Sequence, residues 1–217
     1  MKTLLHPKQV EFVELLKEFD SKHETRKVFL DFLEIALIFL HQIPYIIVFG
    51  ERNEQLEQKY LGISGSYSQE DAAKILPLLS LVIEGLEDML FQDFLGAIYE
   101  HLGFTDERKG QFFTPPNIAK LMAKMTFDAS SIHEKGYTTC SDPACESGIT
   151  LISFAEEMYN QGFDLQTQLI AYGNDISFPA VCMTYIQTTV LGIPATITHG
   201  DALAKEVYST WTNIHLR

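Results

Sequence analysis

The sequence is poor in cysteine, and its few cysteines exclude two classes of protein. Its three cysteines, Cys140, Cys145 and Cys182, are too few for a disulfide framework and lack the C-x-x-C spacing of a metal site. We therefore expect reduced thiols, no bound metal and an intracellular, cytoplasmic protein.

The chain also lacks a signal peptide and an uninterrupted apolar run. The N-terminal residues have no adequate apolar core, and the most apolar stretch, 32–49, contains one acidic residue, two further polar residues and Pro44. Because proline disfavours a helical residue before it, we expect a buried helix that ends before Pro44, and no membrane span.

Basic residues are scarce. The chain has 16 Lys and Arg against 29 Asp and Glu, a formal net charge of −13, and acidic residues outnumber basic ones in both halves. Affinity for a phosphate backbone comes mainly from Lys and Arg that displace counterions. We therefore expect this protein to contact DNA only through a partner.

Residues 1–105 have helical spacing and are predicted to form an all-helical N-terminal domain. Pro7 can open a first helix, and a second is expected from Thr25 to about His41. Further helices are predicted over the acidic stretch 51–60, which Gly62 would end, from Ser68 onward and over 88–102.

Residues 106–217 alternate between strand and helix patterns and are predicted to form a second, α/β domain. After a helix from Asn117 and a linker through Gly136, we expect strands into Asp142, over 169–173 and over 195–198. Helices are expected over 149–161 and near 178–191. This order predicts a parallel, doubly wound sheet of about three strands.

The loop Cys140-Ser-Asp-Pro-Ala-Cys-Glu-Ser-Gly148 joins the first of these strands to a helix. Such a turn directs backbone N–H groups and the positive end of a helix dipole into the crevice at the strand end, which suits a nucleotide-like ligand. Similar loops also occur in α/β proteins that bind nothing there, so the loop alone leaves both interpretations open.

Three further segments accompany the loop: Gly110-Gln-Phe-Phe-Thr-Pro115 before it, and Tyr172-Gly-Asn-Asp-Ile176 and Thr198-His-Gly-Asp-Ala-Leu203 after it. In this order they resemble an adenine-specific DNA methyltransferase, and more narrowly the modification subunit of type I restriction–modification systems. The resemblance covers roughly the last two thirds of the chain. It implies a Rossmann-like class I methyltransferase sheet and S-adenosylmethionine as the cofactor.

The resemblance also implies the cofactor-binding residues. Asp175 would accept hydrogen bonds from the ribose hydroxyls, and Asp201 would accept one from the adenine amino group. Ile176 and Ala202 would pack on either side of the adenine. The methionine end would be walled by a short segment and held by the loop, which together contribute Phe112, Phe113, Thr114, Pro115, Asp142, Ala144, Glu146, Ser147 and Gly148.

Two departures from the family pattern limit these expectations. Glu146 stands where the family has glycine, and a side chain and negative charge close to the methionine end predict weak cofactor binding. The family's catalytic motif, Asn or Asp followed by Pro-Pro and an aromatic residue, does not occur in the 217 residues. We therefore assign no catalytic residue and expect an incomplete methyltransferase domain without activity on its own.

Two alternatives stay open beside this interpretation. The chain can be a degenerate interaction module that binds a partner subunit and no cofactor, or an enzyme completed by a second polypeptide.

In the predicted three-stranded sheet, the strand into Asp142 would have an open edge and exposed apolar side chains. Residues 204–217, the N-terminal helices or another chain would cover it, so we expect a homodimer or a complex with a DNA-recognition or modification subunit.

Overall fold

The computed structural model describes residues 4–105 and 113–216. Its helices are α1 Pro7–Lys17, α2 Thr25–Phe49, α3 Glu54–Ser64, α4 Gln69–Ala73, α5 Ile75–Asp88, α6 Phe94–His101, α7 Pro116–Thr126, α8 Ser130–Lys135, α9 Ile149–Asn160, α10 Leu165–Gln168 and α11 Phe178–Val190. Its strands are β1 Thr138–Asp142, β2 Leu169–Asp175, β3 Ala195–Asp201 and β4 Glu206–Thr212, and a short 3-10 helix, Ile214–Leu216, follows.

The strands of the described residues form one sheet in the order β1-β2-β3-β4. β1 pairs in parallel with β2, and β2 in parallel with β3, with Ser141 opposite Tyr172 and Tyr172 opposite Thr196. The predicted fold class, an α/β fold with a helical N-terminal part and a mostly parallel sheet, is confirmed.

β4 is a strand that the sequence pattern did not predict. Residues 206–212 pair antiparallel with β3, with Trp211 opposite Ile197, so they lie at the far edge of the sheet from β1. Of the three candidates for covering the edge of β1, the segment 204–217 is therefore excluded for its described part, because residues 206–212 lie beside β3. A short β3–β4 connection makes pairing with β3 the nearest way to satisfy the backbone of this segment.

The crossover helices α9 and α11 pack on the same face of the sheet. A Cβ placed on Gly173 of β2 would lie 3.3 Å from Leu151 of α9 and 3.1 Å from Ile197. Trp211, opposite Ile197, packs against Tyr185 of α11 with 6.5 Å between the ring centroids. Two right-handed crossovers that progress in one direction along a sheet place both helices on one side.

The opposite face carries hydroxyl groups and stays largely accessible. Because side chains alternate along a strand, one set of residues projects from this face, and its members are exposed or half-buried: Thr139, Ser141, Ile170, Tyr172, Thr196, Thr198, Thr210 and Thr212. The expectation of exposed apolar side chains is therefore wrong for most of this face. This open polar face is the main departure from a sheet covered on both sides.

α2 runs to Phe49 and does not end before Pro44 as predicted. Proline removes its own N–H and crowds the carbonyl four residues earlier, which can bend a helix without ending it. Gly50, with a φ of 68°, supplies the left-handed terminator and donates its N–H to Ile46 O. By length and composition α2 qualifies as a possible membrane span over Thr25–Val48, and 39% of the 18-residue window tested is buried in the fold. Its residues from Val28 to Ile38 contribute to the core.

Three other predicted boundaries in the sequence are wrong. α3 continues through Gly62 to Ser64, and the predicted linker before Gly136 contains α8. The helix predicted over 88–102 is interrupted, because the side-chain amide of Gln92 donates to Gly85 O at 2.6 Å and closes the end of α5. The chain then turns through Phe91, at a φ of 60°, before α6 begins.

The N-terminal helices and the α/β part share one apolar core. Gln9 of α1 donates to Phe94 O at 3.0 Å, and the His41 ring of α2 lies 3.1 Å from the Tyr185 hydroxyl of α11. α2 thus packs along α11, and its His41 ring also contacts Trp211 of β4, with 5.1 Å between the ring centroids. The division into domains 1–105 and 106–217 stays a prediction.

A polar network centred on Asp93 connects α6, the loop before α9 and α11. Asp93 accepts hydrogen bonds from Ser147 Oγ at 2.5 Å, Gly96 N at 2.9 Å and Gln187 Nε2 at 3.0 Å. The same Gln187 amide donates to Ser147 O at 2.8 Å, and its oxygen accepts from Leu95 N at 3.0 Å. Burial raises the pKa of the Asp93 carboxyl. The network therefore fixes the loop to the helical part of the molecule.

We expect Asp93→Ala to lower the free energy of unfolding by about 1–3 kcal/mol, because the Gly96 N–H and the Ser147 hydroxyl lose their acceptor. Urea denaturation followed by circular dichroism measures this change. The control is Asp88→Ala at the exposed end of α5, expected to change the free energy by less than about 0.5 kcal/mol. Equal stabilities of the two variants would contradict the structural role of the network.

Trp211 anchors β4, so Trp211→Ala is expected to cost about 3–5 kcal/mol of unfolding free energy. The side chain is 8% exposed and packs against His41, Phe178 and Tyr185. Tyr208 of the same strand is 52% exposed, and Tyr208→Ala is expected to cost less than about 1 kcal/mol. Thermal and urea unfolding compare the two. A loss at position 208 as large as that at 211 would count against this anchoring.

Candidate functional site

The loop between β1 and α9 has the predicted strand–loop–helix form. Asp142, the last residue of β1, accepts the Ala144 N–H at 2.9 Å and also the Thr150 hydroxyl of α9. Gly148, with a φ of 96°, turns the chain into α9. The Asp142 carboxylate thus holds the beginning and the end of the loop together, while Ala144 stays exposed.

Glu146 occupies the left-handed region of backbone space, with a φ of 54°. This is a conformation in which glycine carries no penalty and other residues cost about 1–3 kcal/mol. Its N–H donates to Asp175 Oδ2 at 2.9 Å, and its carbonyl accepts the Thr184 hydroxyl at 2.9 Å. Its side chain accepts the Thr114 N–H at 2.7 Å. Glu146 therefore contacts the end of β2, α11 and the segment before α7.

Asp175 ends β2 beside this loop. Besides the Glu146 N–H, its carboxylate accepts the Ser177 N–H at 2.8 Å, just before α11 begins. A carboxylate has about four acceptor positions, so two remain for a ligand. The hydrogen bonds hold Asp175 in place at the carboxyl end of its strand, where parallel sheets bind nucleotides.

Asn174 joins all three parallel strand ends. Its side-chain amide donates at 3.1 Å to Pro143 O in the loop and at 3.1 Å to Gly200 O in β3. The backbone carbonyl of Asn174 accepts the N–H of Cys145, a residue that is buried beneath the loop. This amide therefore adds side-chain hydrogen bonds between the loop, the end of β2 and the end of β3 to those of the sheet itself.

Asp201 lies at the end of β3 and shapes the turn after it. Its Oδ1 accepts the N–H groups of Leu203 at 2.8 Å and Ala204 at 2.9 Å. Ala202 is exposed, and Ile176, after the end of β2, is 62% exposed. The backbone carbonyl of Ile176 lies 3.2 Å from the His199 Nε2. The crevice at the carboxyl ends of β1, β2 and β3, formed by the Asp142 loop, Asp175 and Asp201, thus offers apolar surface beside the Asp201 carboxylate.

The residues of the segment before α7 differ in how they lie relative to the site. The Phe113 ring is buried and stacks on Tyr99, with 5.6 Å between centroids and 4° between planes. Thr114 reaches the loop through Glu146, and Pro115 is exposed immediately before α7. Phe112 lies outside the described residues. A cavity of about 590 Å³ lies beside Phe113 and Thr114 and extends to Asp93, Lys120 and Glu156.

The crevice is strongly acidic. Burial raises the pKa of the Glu146 carboxyl, against the Thr114 N–H that lowers it, and burial also raises the pKa of Asp175. The charge of Asp142 contributes to both shifts. Across residues 4–105 and 113–216, no lysine or arginine forms an ion pair with Asp142, Glu146, Asp175 or Asp201.

Sequence reasoning did not identify four residues that position this site: Asp93, Asn174, Thr184 and Gln187. Asn174 precedes Asp175 in the segment 172–176. Asparagine side chains at turns often hydrogen-bond nearby backbone groups, which is the one local signal for its role. Asp93 and Gln187 lie 94 positions apart in the chain and meet only in the folded molecule. Their partnership leaves no local pattern in the sequence.

The residues present fit an adenosine better than they fit an amino-acid tail. Asp175 and Asp201 present carboxylate oxygens, with exposed Ile176 and Ala202 beside them. At the other end, the Thr114 N–H is already taken by the Glu146 carboxylate. An incoming carboxylate would therefore meet a negative charge in place of a free donor.

A comparison with protein families agrees with the resemblance found in the sequence. The family model described as N-6 DNA Methylase matches residues 91–216. No curated protein matches the chain. Among solved structures, the type I restriction–modification system methyltransferase subunit from Streptococcus thermophilus is similar, with a TM-score of 0.41 and 14% sequence identity. That match covers 91% of this chain and 58% of that one. Because the family model spans more than half of its residues, the chain belongs to the N-6 DNA methylase family.

Proposed function

We propose that this chain supplies the S-adenosylmethionine-binding half of an adenine-specific DNA methyltransferase of a restriction–modification system. The observation that carries the proposal is the meeting of Asp175, Asp201 and the Asp142 loop at the carboxyl ends of three parallel strands. Acceptors at this edge, with apolar surface between them, match the needs of an adenosine. Family membership supports the same ligand.

In this proposal each group has a role defined by its chemistry. Asp175 accepts the ribose hydroxyls and Asp201 accepts the adenine amino group, while Ile176 and Ala202 contact the faces of the base. The exposed backbone near Ala144 and the Thr114 segment adjoin the methionine end. The cofactor supplies a methyl group on a sulfonium centre, and the chain's own residues bind and orient it.

The proposal includes no methyl transfer by this chain alone. An enzyme that modifies a base within a duplex must hold the extruded base, and the Asn-Pro-Pro-aromatic motif for that task is absent from these 217 residues. Base holding, target recognition and most phosphate contacts would come from residues outside 1–217 or from a partner subunit. Among the described strands β1 lies at one edge of the sheet and β4 at the other, beside β3, so the edge of β1 is the proposed side for these additional residues. The assembly is proposed to work in the cytoplasm.

The second candidate is an interaction module that no longer binds cofactor. Glu146 favours it, because its carboxylate occupies the Thr114 N–H and adds to an acidic crevice. The two candidates make opposite statements about adenosine binding, so a binding measurement separates them.

We expect the wild-type chain to bind S-adenosylhomocysteine with a dissociation constant in the micromolar range or weaker. Glu146→Gly should tighten it by about tenfold or more, because it removes both a charge and a side chain from the methionine end. Isothermal titration calorimetry measures both constants. Asp201→Ala is expected to abolish binding in either background. Absence of binding in the wild type and in Glu146→Gly would favour the interaction module.

The purified chain is expected to transfer no methyl group to adenine and to bind duplex DNA poorly, since the catalytic motif is absent and the net charge is −13. A filter assay for labelled methyl incorporation and a fluorescence anisotropy titration with duplex test the two parts. Methyl incorporation by the chain alone, lost in Asp201→Ala, would overturn this part of the proposal.

A further inference from the structure

Glu146 connects two parts of the proposed binding crevice by hydrogen bonds. Its backbone N–H donates to Asp175, the proposed ribose anchor, at 2.9 Å, while its carboxylate accepts the Thr114 N–H at 2.7 Å. A ligand tail that ran from Asp175 toward Thr114 would therefore pass Glu146. The side chain is half-buried, so water screens it less than a surface charge.

This carboxylate is not neutralised by a described cation. The ion pairs found in the described part of the chain leave out Glu146, as well as the nearby Asp142 and Asp175. The Thr114 N–H and the hydroxyl of the same residue satisfy part of its acceptor capacity. The carboxylate therefore has acceptor capacity left for a donor group of a ligand.

These contacts discriminate between ligand tails. A tail with a carboxylate places like charges together and competes with Glu146 for the Thr114 N–H. A tail with an ammonium group and no carboxylate gains a charge-assisted hydrogen bond to Glu146. A tail with neither group gains and loses little.

We infer that the crevice selects adenosyl thioethers or sulfoniums whose tail carries an ammonium group and lacks a carboxylate. This inference rests on the proposed function, because it takes the adenosine site as given. Glu146 is then the specificity-determining residue, and it changes the chemical class of ligand instead of simply closing the site.

Calorimetric titration of the full chain with three matched ligands tests the inference: S-adenosylhomocysteine, its decarboxylated aminopropyl analogue, and methylthioadenosine. We expect the decarboxylated analogue to bind about tenfold or more tighter than S-adenosylhomocysteine, with methylthioadenosine between them. Glu146→Gln keeps the size of the side chain and an oxygen for the Thr114 N–H, and it should reduce that ratio to about threefold or less.

Glu157→Gln is the matched control. It also replaces a glutamate by glutamine, but in α9 and away from Thr114 and Asp175, so the ratio of the two dissociation constants should stay unchanged. Circular dichroism and thermal unfolding establish that each variant is folded. If wild-type chain binds methylthioadenosine but prefers S-adenosylhomocysteine over the decarboxylated analogue, the inference is overturned and the adenosine site stands. If none of the three ligands binds to wild type, Glu146→Gln or Glu146→Gly, the proposed function fails and the inference falls with it.

Discussion

The Gln187 amide is the interaction on which the arrangement of the site depends. It donates to Asp93 and to the carbonyl of Ser147, and it accepts from Leu95, so one side chain of α11 joins the loop to α6. Gly96 permits the approach, because a Cβ there would lie 2.5 Å from Ser147 Oγ. Since polar groups in such a network are costly to leave unpaired, the loop, α6 and α11 must form together. The helical part of the chain is thereby a support for the strand-end crevice.

Within that support, the crevice is organised by its own carboxylates. Asp142, Asp175 and Asp201 each accept backbone N–H groups from the turn that follows them. Glu146 differs, because its carboxylate reaches across to another segment through Thr114. Asp142, Asp175 and Asp201 thus shape their own turns and keep free acceptor positions. Glu146 instead places a carboxylate beside the Thr114 N–H. In the proposed function, Glu146 is the residue that changes what this crevice offers to a ligand tail.

The sequence predicted the local features of this site and missed the long-range ones. The strand–loop–helix around Asp142 could be predicted because strand residues, a turn and an amphipathic helix follow one another without interruption. The positive φ of Glu146 could be anticipated from the glycine of the related pattern. β4 could not, because its residues have no clean alternation and gain their order from Trp211 packing on α11. Pro44 does not mark the end of α2, because the helix continues past it and ends at Gly50, where the backbone is left-handed.

The open face of the sheet has a thermodynamic consequence. Thr139, Ser141, Thr196 and Thr210 present hydroxyl groups that water can satisfy, so exposure of this face carries little hydrophobic penalty. A protein layer placed over it would exchange those waters for side-chain or water-bridged hydrogen bonds while removing little apolar area from solvent. Association through this face would therefore be accompanied by a small change in heat capacity, and a modest amount of free energy would separate the covered from the uncovered state.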